Sequence, residues 1–121
     1  MFFPVSGWFA AFVLTLAIEV PIVAWLLRPA ESSLARRLGL AVLANLATHP
    51  AVWYVISQLL LVGTLEYTLV AEGWAVAVET VFYIVALRGL DPRRAVLVAV
   101  LANGASFAVG RIVGAIRPDL F

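Results

Sequence analysis

Apolar residues run almost unbroken through four stretches of the chain, from about Val5 to Leu27, Leu38 to Val62, Leu69 to Leu87 and Pro92 to Ile116. Each is close to the roughly 20 residues that a helix needs to cross a bilayer. Short polar interruptions divide them. The first run stops at Arg28-Pro29, because a proline disfavours helical backbone at the residue before it. A short polar loop, Arg28 to Arg37, follows, and Ser32 or Ser33 can cap the second run. That run contains Pro50 and ends at Gly63-Thr64. The fourth opens on Asp91-Pro92, a capping residue followed by the favoured first-turn proline. The pattern predicts an all-α integral membrane four-helix bundle forming a single transmembrane domain over residues 1–121.

Composition agrees. Of the 121 residues, 64% are apolar and 12% charged, with a mean hydropathy of +1.08, against about 45 to 50% apolar and about 25% charged in soluble domains. The lipid bilayer is therefore the first expected partner, and so small a chain is expected to form homo-oligomers or to join other membrane subunits. A net charge of +1 provides no basic field for nucleic acid. With no cysteine, disulfides, Fe–S clusters and thiolate catalysis are excluded. Haem is not expected either, since a single His and the initiator Met do not supply two axial ligands. Residues 1–20 lack a basic start and carry Glu19, which argues for a retained helix rather than a signal peptide.

Arginine placement predicts orientation. Arg28, Arg36, Arg37, Arg88, Arg93 and Arg94 fall in the first and third loops, and the second loop has none. By the positive-inside rule those two loops are cytoplasmic and both termini lie outside, with Arg111 and Arg117 running against the trend. Trp8, Trp53 and Tyr67 then fall near the outer boundary, and Trp25 and Tyr83 near the inner one, as interfacial anchors.

The two halves of the chain echo one another. Leu16-Ala17-Ile18-Glu19 aligns with Val76-Ala77-Val78-Glu79, Arg36-Arg37 with Arg93-Arg94, and Ala41-Val42-Leu43-Ala44-Asn45 with Ala99-Val100-Leu101-Ala102-Asn103. Both asparagines of the protein close that pentapeptide, and a hydroxyl residue, Thr48 or Ser106, follows three positions later. The chain reads as a duplicated hairpin, with units of about 5–62 and 65–116. Copies with two crossings share their orientation, so the repeat is parallel, related by an axis along the membrane normal.

The repeat concentrates polar chemistry at one depth. Glu19 lies nine residues from Arg28, Glu79 nine from Arg88, Asn45 nine from Arg36 and Asn103 ten from Arg93. At 1.5 Å rise per residue, all four sit about 14 Å into a layer about 30 Å thick. Glu72, seven residues before Glu79, and His49, four after Asn45, extend a track toward the outer boundary. An ionised glutamate at the bilayer centre costs at least ~2.5 to 3.5 kcal/mol. Glu19 and Glu79 are accordingly expected to be protonated, to share a proton, or to be neutralised by a bound metal cation, for which Glu19, Glu79 and His49 are the candidate ligands. Pro21 and Pro50 each free a carbonyl four residues earlier, at Ala17 and Leu46, within a turn of the cluster. Such helix breaks hold cations in several transporters, and they also kink helices.

Plainer roles exist for the same residues. Asn45, Asn103, Thr48 and Ser106 can be interhelical hydrogen-bond glue, and Ala99, Asn103, Ser106, Gly110 and Gly114 form a small-residue stripe. Two glutamates are a costly way to glue helices that already carry two asparagines. His49 can be a structural donor, Glu72 can reach solvent, and Glu66 reads as an exposed loop residue.

The order Glu19, Asn45-Leu46-Ala47-Thr48-His49-Pro50, Glu72 with Glu79, then Asn103-Gly104-Ala105-Ser106-Phe107 and Gly110 resembles a group of small bacterial four-helix membrane proteins over nearly the whole chain. Members often carry Asn where this chain has His49. The resemblance implies the fold, a bacterial cytoplasmic membrane and the polar set, and attaches no activity to them. Three functions remain in view: a transporter or channel-like module for a cation or proton, with Glu19, Glu79, Asn45, Asn103, Thr48 and Ser106 as its centre and Glu72 and His49 as its approach; an accessory subunit of a larger membrane complex; and an intramembrane acid/base enzyme. The enzyme lacks any HExxH, GxSxG or cysteine signature.

Overall fold

The computed structural model describes residues 5–121 and is all-α. Residues 1–4, the start of the segment read above as a retained helix, lie outside the described residues. Helix α1 covers Val5–Leu26. The second crossing, Leu34–Leu59, begins as α2 (Leu34–Ala51), passes through a π-helical segment at Val52–Ile56 and closes with a helical turn at Ser57–Leu59. Helices α3 (Leu65–Ala86) and α4 (Pro92–Ile116) complete an up-down-up-down ring in which α1 packs on α2, α2 on α3, α3 on α4 and α4 on α1.

Side-chain caps fix where the crossings start. Ser33 accepts from the Arg36 amide and Thr64 from the Tyr67 amide, so the second and third helices begin at Leu34 and Leu65. Both starts lie four residues earlier than hydropathy alone suggests, because a capped first turn tolerates polar residues that a hydropathy window rejects. Glu66 thus sits in the first turn of α3 rather than in a loop, still exposed, where the helix dipole favours a carboxylate. Asp91 caps α4 through the Arg93 amide, with Pro92 at the first helical position. Gly63 and Gly89 turn the chain between helices with φ of 91° and 81°, a region that a Cβ disfavours.

Two of the arginines between crossings close the end of a helix. Arg37 is buried and donates to the Ala24 carbonyl, and Arg94 donates twice to the Leu26 carbonyl, at 2.8 and 3.2 Å. Together they satisfy carbonyls that the end of α1 leaves without intrahelical partners. The Arg36-Arg37 and Arg93-Arg94 pairs are therefore not equivalent. Aligning Asn45 on Asn103 shifts by 58 positions, which puts Arg36 on Arg94 and Arg37 on buried Ala95.

The bundle is apolar outside, and its interior is divided between an apolar core and a polar half. Each crossing is long and apolar enough to span a membrane, yet only 22 to 28% of its spanning window is buried. Leu59, Leu61, Val85 and Ile116 are each at least 71% exposed, a surface that suits lipid rather than water. At the arginine-bearing end the interior is filled by Val23, Leu27, Ala44, Tyr83, Leu87 and Val98, all essentially inaccessible. Tyr83 is wholly buried in that core and is not an interfacial anchor; its place four residues after Glu79 puts it on the same inward face. Trp25 does face outward, with the Arg28 guanidinium 5.6 Å from its ring.

Candidate functional site

Beyond the apolar core, toward the Leu60–Thr64 connection, the four helices carry their polar side chains inward. Glu19, Asn45, Thr48, Glu79 and Asn103 are each at most 6% exposed. Two hydroxyl-to-carboxyl bonds cross the bundle. Thr48 on α2 bonds Glu79 on α3 at 3.2 Å, and Ser106 on α4 bonds Glu19 on α1. Exchanging α1 with α3 and α2 with α4 converts one bond into the other, the relation that an axis along the bundle produces. Each asparagine also bonds its own helix four residues back, Asn45 to the Ala41 carbonyl at 3.1 Å and Asn103 to that of Ala99 at 2.9 Å.

The symmetry breaks at the carboxyls. Asn103 gives a second bond, at 2.7 Å, to Glu79 Oε2, so both Glu79 oxygens are engaged. Asn45 faces Glu19 from α2, but Glu19 Oε2 is buried and makes no hydrogen bond of normal geometry among the described residues. A buried carboxyl oxygen left unpaired is costly, more so when ionised. Glu79 is thus tied into the packing, whereas Glu19 has one enclosed oxygen without a bond.

Hydrogen counting shows what the two pairs tolerate. The Ser106 hydroxyl has one hydrogen and sits between Glu19 Oε1 and the Asn103 carbonyl, 3.0 Å away. It can donate to an ionised Glu19. A protonated Glu19 can instead donate to the hydroxyl, whose hydrogen then goes to Asn103. Thr48 has the same choice between Glu79 and the carbonyls of Ala44 and Asn45 at 3.2 and 3.4 Å. Neither pair needs heavy-atom movement to change its proton.

Glu19, Asn45 and Asn103 line the floor of a cavity of about 690 Å³, which extends past Thr48, His49 and Ser106 to Val62, Gly63 and Phe121 at the end away from the core. Glu72 lies on its wall and Arg111 toward its mouth, so the sequence track from Glu72 and His49 down to Glu19 is a continuous space. Glu79 does not line it. Hydropathy could not rank the two glutamates, because the difference between them comes from Asn103 reaching across to α3.

Other residues fall differently from expectation. Pro21 and Ala17 are exposed, Leu46 is exposed, and none of the three lines the cavity, so the carbonyls freed by the prolines are not part of the site. After Pro50 the helix widens into the π-helical segment rather than breaking, a form often found at functional positions. His49 is held among aromatic rings, 5.2 Å from Phe12, 6.1 Å from Trp53 and 6.3 Å from Trp8, with its Nδ1 unpartnered. Trp8, stacked on Phe12, and Trp53, stacked on His49, thereby pack inward as well as marking a boundary. No group of three or more His, Asp or Glu side chains that could hold a metal ion is found among the described residues.

Arg111, Tyr67, Phe107 and Thr15 also line the cavity and carried no signal as site residues in the sequence. Arg111 lies five residues past Ser106, about 1.4 turns on, so helical spacing did not place it on the Ser106 face. Comparison of the chain with protein-family models, with curated proteins and with solved structures finds no match in any of the three. The functional reading rests on the geometry alone.

Proposed function

We propose that the protein binds and passes a proton or small cation at Glu19, as a transporter or channel-like module reached from one side of the membrane. The observation that carries this reading is the Glu19 carboxyl, buried on the floor of the cavity with Oε2 unpartnered. Two features support it. The Ser106–Glu19 pair accepts either protonation state with its atoms in place. The other half of the bundle is closed by the Val23, Leu27, Tyr83 and Leu87 core, so a group at Glu19 exchanges with one side only in this conformation. Release to the far side would require that core to part, the logic of alternating access.

On this reading the arginine-rich connections face the cytoplasm of a bacterial cell, the cavity opens outward with both termini, and the two hairpins are copies of one ancestral unit. The engaged carboxyl of Glu79 acts as scaffold, and Glu72 draws cations toward the floor.

Reconstitution into liposomes containing a trapped pH indicator tests the reading. The wild type is expected to dissipate an imposed pH or cation gradient, with the flux lost in Glu19→Gln while the variant still inserts and elutes as a discrete species. Equal flux from both would sink the proposal. Stoichiometric co-purification with other membrane proteins, together with absence of flux, would favour the accessory-subunit reading instead.

A further inference from the structure

The cavity is large for the ion that the polar floor suggests. Spaces of about 300 to 1,000 Å³ hold small organic molecules, and this one measures about 690 Å³. Its walls are mostly apolar and aromatic, with Leu14, Val52, Trp53 and Phe107 above the floor and Glu72 among them. A bare ion would leave most of that volume empty, and no group of three metal-ligating side chains is present among the described residues.

The floor, in contrast, offers acceptors. Asn103 commits its Nδ2 to the Ala99 carbonyl and to Glu79, and Asn45 commits its Nδ2 to the Ala41 carbonyl while facing Glu19, which leaves both amide oxygens without a hydrogen bond among the described residues. Flipping either amide would set its oxygen against a carbonyl oxygen. Glu19 Oε2, itself unpartnered, is the third acceptor. Three acceptors around one end of an apolar cavity match a group with three N–H donors and a positive charge.

Building on the cation reading above, we infer that the occupant is a primary ammonium carried on an apolar body, its N–H groups taken by Glu19 and by the amide oxygens of Asn45 and Asn103. The aromatic rings of Trp53 and Phe107 add a favourable face for the cation as it enters. Arg111, which makes no ion pair among the described residues, stands at the mouth where an anionic group on the same molecule would meet it. A free amine and an aminophospholipid headgroup both carry this ammonium.

Calorimetric titration of the full chain in phosphatidylcholine nanodiscs, against protein-free discs, distinguishes the outcomes. Benzylammonium is expected to bind at least about tenfold more tightly than its neutral isostere benzyl alcohol, the preference that a charge-assisted bond provides, and Glu19→Gln is expected to abolish that preference. The comparison of the two ligands on the unaltered protein decides even where the variant does not fold. Repeating the titration in discs containing phosphatidylethanolamine separates the sources: competition there identifies the lipid headgroup, and undiminished binding identifies a free amine. Equal binding of the two ligands, or none, overturns the ammonium. Where Glu19-dependent proton flux persists in that case, the cation reading survives; where flux is absent as well, both fall.

Discussion

The Ser106 hydroxyl on α4 and the Glu19 carboxyl on α1 are hydrogen-bonded across a helix seam although 87 positions separate them in the chain. The bond closes the ring of four helices at the level where Thr48 and Glu79 close the opposite seam. These two seams make the buried polar groups a source of register as well as of chemistry, because sliding either helix pair by a turn would leave carboxyls and hydroxyls unpartnered in an apolar interior.

The unequal bonding of the two glutamates gives opposite expectations for their removal. Glu79→Ala strands the Asn103 N–H that bonds Oε2, returns Thr48 to its helix carbonyls and opens a void, so the variant is expected to lose at least about 2 kcal/mol. Glu19→Ala leaves Ser106 its bond to the Asn103 carbonyl and removes an unpartnered oxygen, and is expected to lose less. Reversible unfolding in mixed micelles of mild detergent and dodecyl sulfate measures both. A larger loss at Glu19 would contradict the assignment of Glu79 as scaffold.

Tyr83 isolates the hydroxyl from the ring. The side chain is fully buried and its OH has no hydrogen-bond partner. Tyr83→Phe is therefore expected to leave stability within about 0.5 kcal/mol of wild type or to raise it, since an unsatisfied polar group disappears with no change in packing. Tyr83→Ala is expected to cost about 3 to 5 kcal/mol through the cavity it leaves. The same unfolding assay checks the pair, and a large loss in Tyr83→Phe would reveal a bond made by that hydroxyl.

Capping of α1 by residues from two other helices predicts a local effect. Arg94→Ala removes two bonds to the Leu26 carbonyl from an exposed side chain, so global stability is expected to fall by only about 1 kcal/mol. Amide exchange should rise in the last turn of α1, at Leu26 and Leu27, and stay unchanged around Glu19. Hydrogen exchange read by mass spectrometry separates these regions.

These contrasts show where sequence was informative and where it was not. Long apolar runs and the Asp91-Pro92 signal located α4 to the residue, since its cap and its hydropathy change coincide. Ser33 was legible as a cap of the second helix although the apolar run begins four residues after Leu34, whereas the start at Leu65 was hidden because Thr64 read as the end of the preceding run. Counting from the arginines put Glu19, Asn45, Glu79 and Asn103 at a common depth, and the bundle does bring them together. What counting could not reach is rotation about each helix axis. Rotation points Ala17 and Pro21 outward, seals Glu79 behind Asn103 and turns Arg111 into the cavity. The prolines misled for the same reason: a freed carbonyl matters only on the face that meets the site.

Access to Glu19 from one end can be mapped directly because the chain contains no cysteine, so each introduced thiol reports alone. Ala11 and Ala71 line the cavity, whereas Ala44 and Ala95 are inaccessible within the opposite core. In intact cells, Ala11→Cys and Ala71→Cys are expected to react with a small, membrane-impermeant methanethiosulfonate added outside. Ala44→Cys and Ala95→Cys are expected to remain unlabelled from either side until the protein is denatured. The small-to-small change keeps the packing nearly intact, so low reactivity in the core reflects access rather than misfolding. Labelling of the first pair only in inverted vesicles would reverse the proposed orientation and leave the one-ended cavity standing. Labelling of the core pair from the arginine-bearing side would show that the seal between Val23, Leu27, Tyr83 and Leu87 opens, and would turn the closed end into the second gate of a transport cycle.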